Sequence, residues 1–356
     1  MTFFQSINKA RTVMSTKSLI SHHSSLISHL SSLLIFFTFF LFACGSPEVH
    51  HMDTAICSTV VENDTAAVGN TTVRGALLGT RFTSLEDLKK VIRIEYENGV
   101  DPSDSTAAVS RVVRVHHCSS GREVVSILET GTSQGDFIKA RYNGAFMDKL
   151  SVLTGCPYAV MNRRDLDKIY ALLRFRPEWF GLSDVAFFEM ARTMVTHINT
   201  PDLAFINPRD STEKGYLNTF NHMTAQAFIT SCFSEDLADF IADVHERYRQ
   251  PELISGKFTA AQLADLNEGP VDNYVDIINN EWGQELGKQL QQKYHITQNT
   301  HWTPQLLAAY LNDLQAYFSW ALQIGFTPFT PKDPKVVQFA KKINTVINGS
   351  LSFDQK

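Results

Sequence analysis

One stretch of this chain, VDNYVDIINNEWGQELG, constrains the fold more strongly than any other. At about 100° per residue, a helix places its apolar side chains in one stripe and its polar residues and glycines in an adjacent stripe. The apolar stripe is typical of a face packed on a core. The second stripe is unusual, because Asp, Asn and Gly are poor residues in a helix interior. The apolar stripe comprises Val271, Val275, Ile278, Trp282 and Leu286, and the second comprises Asp272, Asp276, Asn279, Asn280, Gly283 and Gly287.

Helical periodicity extends from about Arg163 almost to the C-terminus and predicts five to seven helices in the C-terminal half. Ser183 and Ser234 each precede acidic residues and an amphipathic run, which predicts a capped helix start at both positions. Thr303 and Pro304 predict another helix start. The predicted fold class is therefore mainly α, with a multi-helix C-terminal domain and a small α+β N-terminal segment.

The segment before these helices has a mixed pattern. SLEDLKKVIRIEY predicts a helix capped by Ser84, and SRVVRVHHCSSGREVVSILET predicts a β-hairpin. Neighbouring strand residues point to opposite faces, so His116, His117 and Cys118 cannot converge on one metal ion and are expected to be exposed. The predicted organisation is a signal segment over residues 1–43, a tether over 44–70, the α+β segment over 71–155 and the helical domain over 156–350, with its motifs at 200–295.

The N-terminus has the layout of an export signal. SSLLIFFTFFLFAC is an apolar run too short to span a bilayer, and basic residues without acidic ones precede it. LFACGS resembles a bacterial lipoprotein signal, in which the cysteine, here Cys44, receives the lipid. The chain is therefore expected to be exported and anchored by lipid to a membrane of the cell envelope. A plain cleaved signal and an N-terminal anchor helix remain alternatives, and the start could be Met1 or Met14.

Charge and cysteine usage exclude some functions. The formal net charge is −5, and loss of the signal would remove three basic residues and no acidic ones, so nucleic acid is not an expected partner. The cysteines beyond Cys44 include no CxxC pair, which argues against a zinc-thiolate site and leaves disulfide pairing open. These cysteines are Cys57, Cys118, Cys156 and Cys232.

Three predicted helices direct polar side chains towards one shared interior. Buried carboxylates and imidazoles are costly unless they are paired or bound to metal. The two glycines of the second stripe would let another backbone approach closely. The inward side chains are Asn218, His222 and Gln226 on the first helix, His245 and Glu246 on the next, and Asp272, Asp276, Asn279 and Asn280 on the third.

Two interpretations of these residues remain open. The first is a site for one divalent, zinc-like ion in a hydrolase, and the second is a polar network that keeps the helices in register. In the first interpretation His222, His245 and Asp276 are metal ligands, Glu246 is the general base, and Asn218, Gln226, Asn279 and Asn280 support the ligands or orient a substrate.

The same residues carry a resemblance. NTFNHM, DVHERY and VDIINNEWGQELG together resemble the motifs of a bacterial domain family of unknown function, namely Asp-x-Phe-Arg-His, a later His-Glu pair, and Met-Asp-x-x-Asn-Asn-x-x-Gly. The resemblance implies membership of that family over about residues 200–295 and implies no particular reaction. His222, His245, Glu246, Asp276, Asn279, Asn280 and Gly283 match the motifs, whereas Asn218, Asn221 and Val275 replace the Asp, Arg and Met of the pattern.

The sequence therefore supports two functional hypotheses. The first is an exported lipoprotein that acts as a metal-dependent hydrolase. The second is a non-catalytic binding or structural lipoprotein of the envelope, in which the same cluster only holds helices together. No segment selects a substrate, a protein partner or a small-molecule partner.

Overall fold

The computed structural model describes residues 74–349 except 101–107 and 143–144. The predicted signal segment, the predicted tether, Cys57 and the predicted lipidation site Cys44 lie outside these residues. Within the described part of the chain, no helix combines the length and the apolar character needed to cross a membrane. Cys118 and Cys156 are each disulfide-bonded, and Cys232 is a buried free thiol.

The fold is mainly α with a small antiparallel sheet near the N-terminal end of the described residues, as predicted. The sheet has three strands in the order β1 (Ile92–Val100), β2 (Ala108–Ser119) and β3 (Arg122–Glu129). β2 and β3 form the predicted hairpin, in which Ser119 pairs with Arg122 across the turn.

The predicted helix after Ser84 is much shorter than expected. Helix α1 covers only Leu85–Leu88, where the Ser84 hydroxyl accepts a hydrogen bond from the backbone N–H of Asp87. From Ile92 onwards the β-branched residues alternate with charged ones, and this period of two forms β1 instead of a longer helix.

The remaining helices follow in two groups. Helices before the polar motifs are mostly short, and those that carry or follow the motifs include the longest helix of the described chain. They are α2 (Gln134–Tyr142), α3 (Phe146–Gly155), α4 (Pro157–Met161), α5 (Arg163–Leu173), α6 (Pro177–Phe180), α7 (Phe187–Thr196), α8 (Pro201–Ala204), α9 (Asn218–Cys232), α10 (Glu235–Arg249), α11 (Glu252–Ser255), α12 (Ala260–Ala264), α13 (Pro270–Tyr294), α14 (Pro304–Leu322) and α15 (Pro334–Ile347).

Of the three helix starts predicted in the helical domain, two are confirmed and one is wrong. The side chains of Ser234 and Thr303 cap α10 and α14 by accepting backbone hydrogen bonds. Helix α7 begins at Phe187 rather than after Ser183, because Asp184 is buried in an ion pair with Lys342 at 2.9 Å and also holds the extended backbone before the helix.

Helix α13 lies at the centre of the molecule, and every residue from Pro270 to Gly287 is buried. Its apolar stripe joins one continuous hydrophobic cluster that also contains Val113, Val115 and Leu128 of the sheet. Both stripes of the helix are therefore covered by protein, which explains why the polar one needs internal partners.

Helices α9 and α13 pack in very close contact at the predicted glycines. A Cβ atom at Gly283 would lie 2.9 Å from the carbonyl oxygen of Met223, and one at Gly287 would lie 2.5 Å from that of Ala227. Any side chain would prevent this approach. The contact confirms that the glycines of the second stripe permit the approach of another backbone.

Candidate metal centre

Three side chains from three helices meet beside the close contact of α9 and α13. One ligand atom each of His222 on α9, Glu246 on α10 and Asp276 on α13 lies within 4.8 Å of the other two. His222 Nε2 is 3.4 Å from Asp276 Oδ2. We call these three residues the trio.

The hydrogen bonds of His222 leave one ring nitrogen available to the trio. Its Nδ1 is 3.0 Å from the amide oxygen of Asn280. Because that oxygen can only accept, Nδ1 carries the proton and the Nε2 lone pair faces Asp276. Burial lowers the pKa of His222, so the ring is neutral at pH 7 and suited to bind a metal ion.

Glu246 is the least satisfied group of the cluster. Its residue is 2% exposed, and neither carboxyl oxygen has a hydrogen-bond partner among the described residues. Burial, followed by the nearby charges of Asp276 and Asp272, raises the pKa of Glu246 well above its usual range. A buried carboxyl group without donors requires either a proton or a cation.

Asp272 and Asp276 form a linked pair one helical turn apart. The Asn218 amide nitrogen donates to Asp276 Oδ1 at 2.8 Å and to Asp272 Oδ1 at 3.4 Å, while Lys214 Nζ lies 2.9 Å from Asp272 Oδ2. Burial raises the pKa of both aspartates to about 7, and the charge of Asp276 adds to the rise at Asp272. The carboxyl groups thus crowd negative charge into a site with few donors.

His245 lies beside the trio and not in it. Its Nδ1 is 2.9 Å from Gln134 Oε1 on α2, and its ring centroid is 6.2 Å from that of His222. Burial lowers the pKa of His245 to about 3. Glu246, predicted as a base, therefore takes the place of His245 in the group of side chains that could hold a metal ion.

Two of the predicted supporting residues point elsewhere. Asn279 makes two hydrogen bonds to the backbone of Leu77, and Gln226 accepts a hydrogen bond from Gln284 Nε2 at 3.3 Å. Asn218 and Asn280 do contact the trio, as described above. The polar stripe of α13 therefore divides into residues that face the trio and residues that bind other parts of the fold.

Two positively charged residues at the site have no role in the sequence prediction. Lys214 belongs to a kinked π-type turn, Glu213–Leu217, just before α9, and Arg249 lies one turn after Glu246 on α10. The spacing of Glu246 and Arg249 gives a signal for the second residue, since positions three apart share a helix face. Nothing in the sequence pattern predicts the kinked turn that carries Lys214.

The hairpin histidines are separated as expected, but one of them is buried. His117 is 2% exposed and its Nδ1 accepts a hydrogen bond from Trp282 Nε1 at 2.9 Å. The prediction that both histidines are exposed is therefore wrong: α13 covers the inner face of the sheet and buries His117, and the His116 side chain is only 13% exposed. His116, on the opposite face, lies 3.1 Å from Glu123.

No protein-family model, no curated protein and no solved structure matches this chain. The resemblance to the bacterial domain family therefore remains a prediction carried by its three motifs. The geometry of the trio is the observation from which function must be argued.

Proposed function

We propose that His222, Glu246 and Asp276 bind one divalent, zinc-like metal ion and that the protein is an exported, metal-dependent hydrolase. The observation that carries the proposal is the convergence of three ligand atoms within 4.8 Å, one of them from a buried glutamate without a hydrogen-bond partner among the described residues. One imidazole and two carboxylates form a suitable donor set for zinc, which in catalytic sites takes a water molecule as its further ligand.

A bound zinc ion would supply a Lewis acid and lower the pKa of its water molecule towards 7. With Glu246 among the ligands, Asp272 would be the proton acceptor, since it lies one helical turn from Asp276 and the Asn218 amide links the two carboxyl groups. In such a hydrolysis, the water oxygen would bond to the acyl carbon as the bond to the leaving group breaks. Asp272 would take one proton from the water and return it to the leaving group.

The proposed location is the cell envelope, with a lipid anchor at Cys44. Two features support export: the LFACGS motif after an apolar run, and disulfide bonds at Cys118 and Cys156. Disulfides persist mainly in oxidising compartments outside the cytoplasm. Labelling with a radioactive fatty acid, compared between the parent and Cys44→Ala, tests the anchor directly.

A non-catalytic role has its own support. Asn279 and Asn218 join separate parts of the chain, and a protonated Glu246 would need no metal ion. In this alternative the cluster maintains the register of α9, α10 and α13, and the protein is a binding or structural lipoprotein.

Metal content separates the two proposals. The full chain carrying Cys44→Ala is purified, stripped with a chelator, reloaded with zinc, desalted and analysed by elemental mass spectrometry. We expect about one equivalent of zinc in the parent and less than a tenth of that in His222→Ala and Glu246→Gln. His301→Ala, a change at an exposed histidine, is the control and retains the metal.

A parent protein that binds no zinc after reloading would refute the metal site. If His222→Ala and Glu246→Gln also had lower melting temperatures than the parent, the cluster would be structural. Equal zinc binding by all variants would place the metal elsewhere in the chain.

A further inference from the structure

The edge of the trio carries two positively charged side chains from different elements. Lys214 precedes α9, and Arg249 ends α10 one turn after Glu246. Lys214 Nζ lies 2.9 Å from Asp272 Oδ2, one helical turn before Asp276, and Arg249 follows Glu246 by three positions on α10, so both cations lie beside the trio. Their side chains are 19% and 40% exposed, so solvent reaches this edge.

One exposed glutamate contacts both cations. Glu268 Oε1 lies 3.1 Å from Lys214 Nζ, and Glu268 Oε2 lies 3.3 Å from an Arg249 guanidinium nitrogen. The Glu268 side chain is 53% exposed. Its two oxygens therefore divide between the two cations, as the oxygens of a bound carboxylate would.

The loop that carries Glu268 is held in place. Asp265 Oδ1 accepts hydrogen bonds from the backbone N–H groups of Asn267 and Glu268, and Arg209 donates to the carbonyl oxygen of Leu266. The backbone thus fixes the position of Glu268, while its exposed side chain can rotate away into water.

We propose that Lys214 and Arg249 bind a free carboxylate group of the substrate in the place that Glu268 occupies in this structure. The inference rests on the proposed hydrolase function and names its substrate class: a small acyl compound with a carboxylate near the bond that is cleaved, such as an N-acylated amino acid or the C-terminal end of a peptide. Glu268 competes with the substrate for the two cations.

Charge favours a carboxylate at this position. The carboxyl groups of Asp272, Asp276 and Glu246 would repel an anion that approached the trio without compensation. Lys214 and Arg249 provide that compensation at the exposed edge, and a guanidinium group binds a carboxylate with directed hydrogen bonds. A substrate held there would place its neighbouring acyl group towards the trio.

Calorimetric titration with N-acetylglycine tests the proposal on the full chain carrying Cys44→Ala, with and without zinc. We expect N-acetylglycine to bind Glu268→Gln about fivefold more tightly than the parent. The substitution removes the exposed ion pairs of Glu268 and leaves Lys214 and Arg249 available to the ligand. Adding Arg249→Gln to Glu268→Gln abolishes the gain. N-acetylglycinamide, which lacks the charge, binds the parent and Glu268→Gln equally weakly.

Glu86→Gln is the matched control and should leave the affinity for N-acetylglycine unchanged. Glu86 is an exposed glutamate that pairs with Lys89, and both residues are distant from the cluster in sequence. If Glu268→Gln binds zinc normally without any gain for N-acetylglycine, the carboxylate site is refuted and the metal site stands. If the gain persists in a protein that binds no zinc, the hydrolase proposal fails and the carboxylate site stands. Equal binding of N-acetylglycine and N-acetylglycinamide by the parent also refutes carboxylate recognition, and this comparison needs no variant.

Discussion

The side-chain amide of Asn279 pairs with the backbone of Leu77 as one peptide group pairs with another. Asn279 Oδ1 accepts from the Leu77 N–H at 2.8 Å, and Asn279 Nδ2 donates to the Leu77 carbonyl oxygen at 2.9 Å. All four atoms are buried, and the two residues are 202 positions apart in the sequence. The pair attaches the start of the described chain to the middle of the central helix.

We expect Asn279→Ala to lower the free energy of unfolding by about 2 kcal/mol, because it leaves the buried N–H of Leu77 unsatisfied. The Leu77 carbonyl oxygen keeps its hydrogen bond from the Thr219 hydroxyl at 3.0 Å. Urea denaturation followed by circular dichroism measures the change. Asn299→Ala, at an exposed position, should change it by less than about 0.5 kcal/mol. Zinc content should stay the same in Asn279→Ala, and a loss of metal would contradict a purely structural role for this residue.

The glycine contact between α9 and α13 gives a second prediction. Alanine normally stabilises a helix by about 1 kcal/mol over glycine, but a Cβ at Gly283 would lie 2.9 Å from the Met223 carbonyl oxygen. We therefore expect Gly283→Ala and Gly287→Ala each to destabilise the protein by about 2 kcal/mol through overpacking. Thermal unfolding measures the effect. Gln292→Ala, on an exposed part of the same helix, is the control and should leave the melting temperature unchanged.

The pH dependence of the metal-free protein is set partly by Asp272 and Asp276. Their pKa values of about 7 in the folded state exceed the unfolded value of 3.8, so the folded state binds more protons between these limits. Their contribution to stability is complete below about pH 4 and is lost as pH rises through 7. We expect Asp276→Asn to reduce the fall in unfolding free energy between pH 5 and 8 by more than about 1 kcal/mol, measured by denaturation at each pH.

Zinc should reverse this trend, because metal binding displaces protons from its ligands and becomes tighter as pH rises. Thermal shifts with and without zinc, measured at pH 6 and pH 8, provide the comparison. A larger stabilisation at pH 6 than at pH 8 would contradict binding to these carboxylates.

His117 gives a pH dependence of the opposite sign. Burial lowers its pKa to about 3 in the folded state, below the value of 6.5 for an exposed histidine. Its contribution to stability is present above pH 6.5 and is lost as pH falls towards 3. His117→Gln can still accept a hydrogen bond from Trp282, and its side chain does not titrate. Between pH 7 and 4.5, the unfolding free energy of the variant should therefore fall by at least about 1 kcal/mol less than that of the parent. His301→Gln should behave as the parent.

Much of the fold follows from the sequence pattern. The described residues contain six helices of ten or more residues from Phe187 onwards, within the predicted range of five to seven, and the hairpin lies where alternation predicts it. The short helices α8, α11 and α12 were not predicted, because four or five residues are too few to show a period. The early part of β1 was mistaken for helix because Leu85 and Leu88 begin the segment with a helical spacing.

The candidate site was predicted in part. His222 and Asp276 face each other because both lie on the stripes that the glycine contact brings together. The choice between His245 and Glu246 could not be made from sequence, since neighbouring positions differ by about 100° and the helix crossing angle decides which one meets the third helix. Lys214 and Glu268 belong to a kinked turn and a loop, whose geometry depends on tertiary contacts.

The glycine contact also bears on which ion the site would select. Two residues of the trio, His222 and Asp276, project from helices whose backbones touch, so the main chain fixes the separation of the two backbones and only side-chain rotation can change the distance between their ligand atoms. Calcium needs six to eight oxygen ligands at about 2.3–2.6 Å, whereas zinc needs four ligands at about 2.0–2.3 Å. With three side chains as the candidate ligands and two of the helices that carry them fixed against each other, the site would favour zinc over calcium, because calcium would need several more oxygen ligands brought to it.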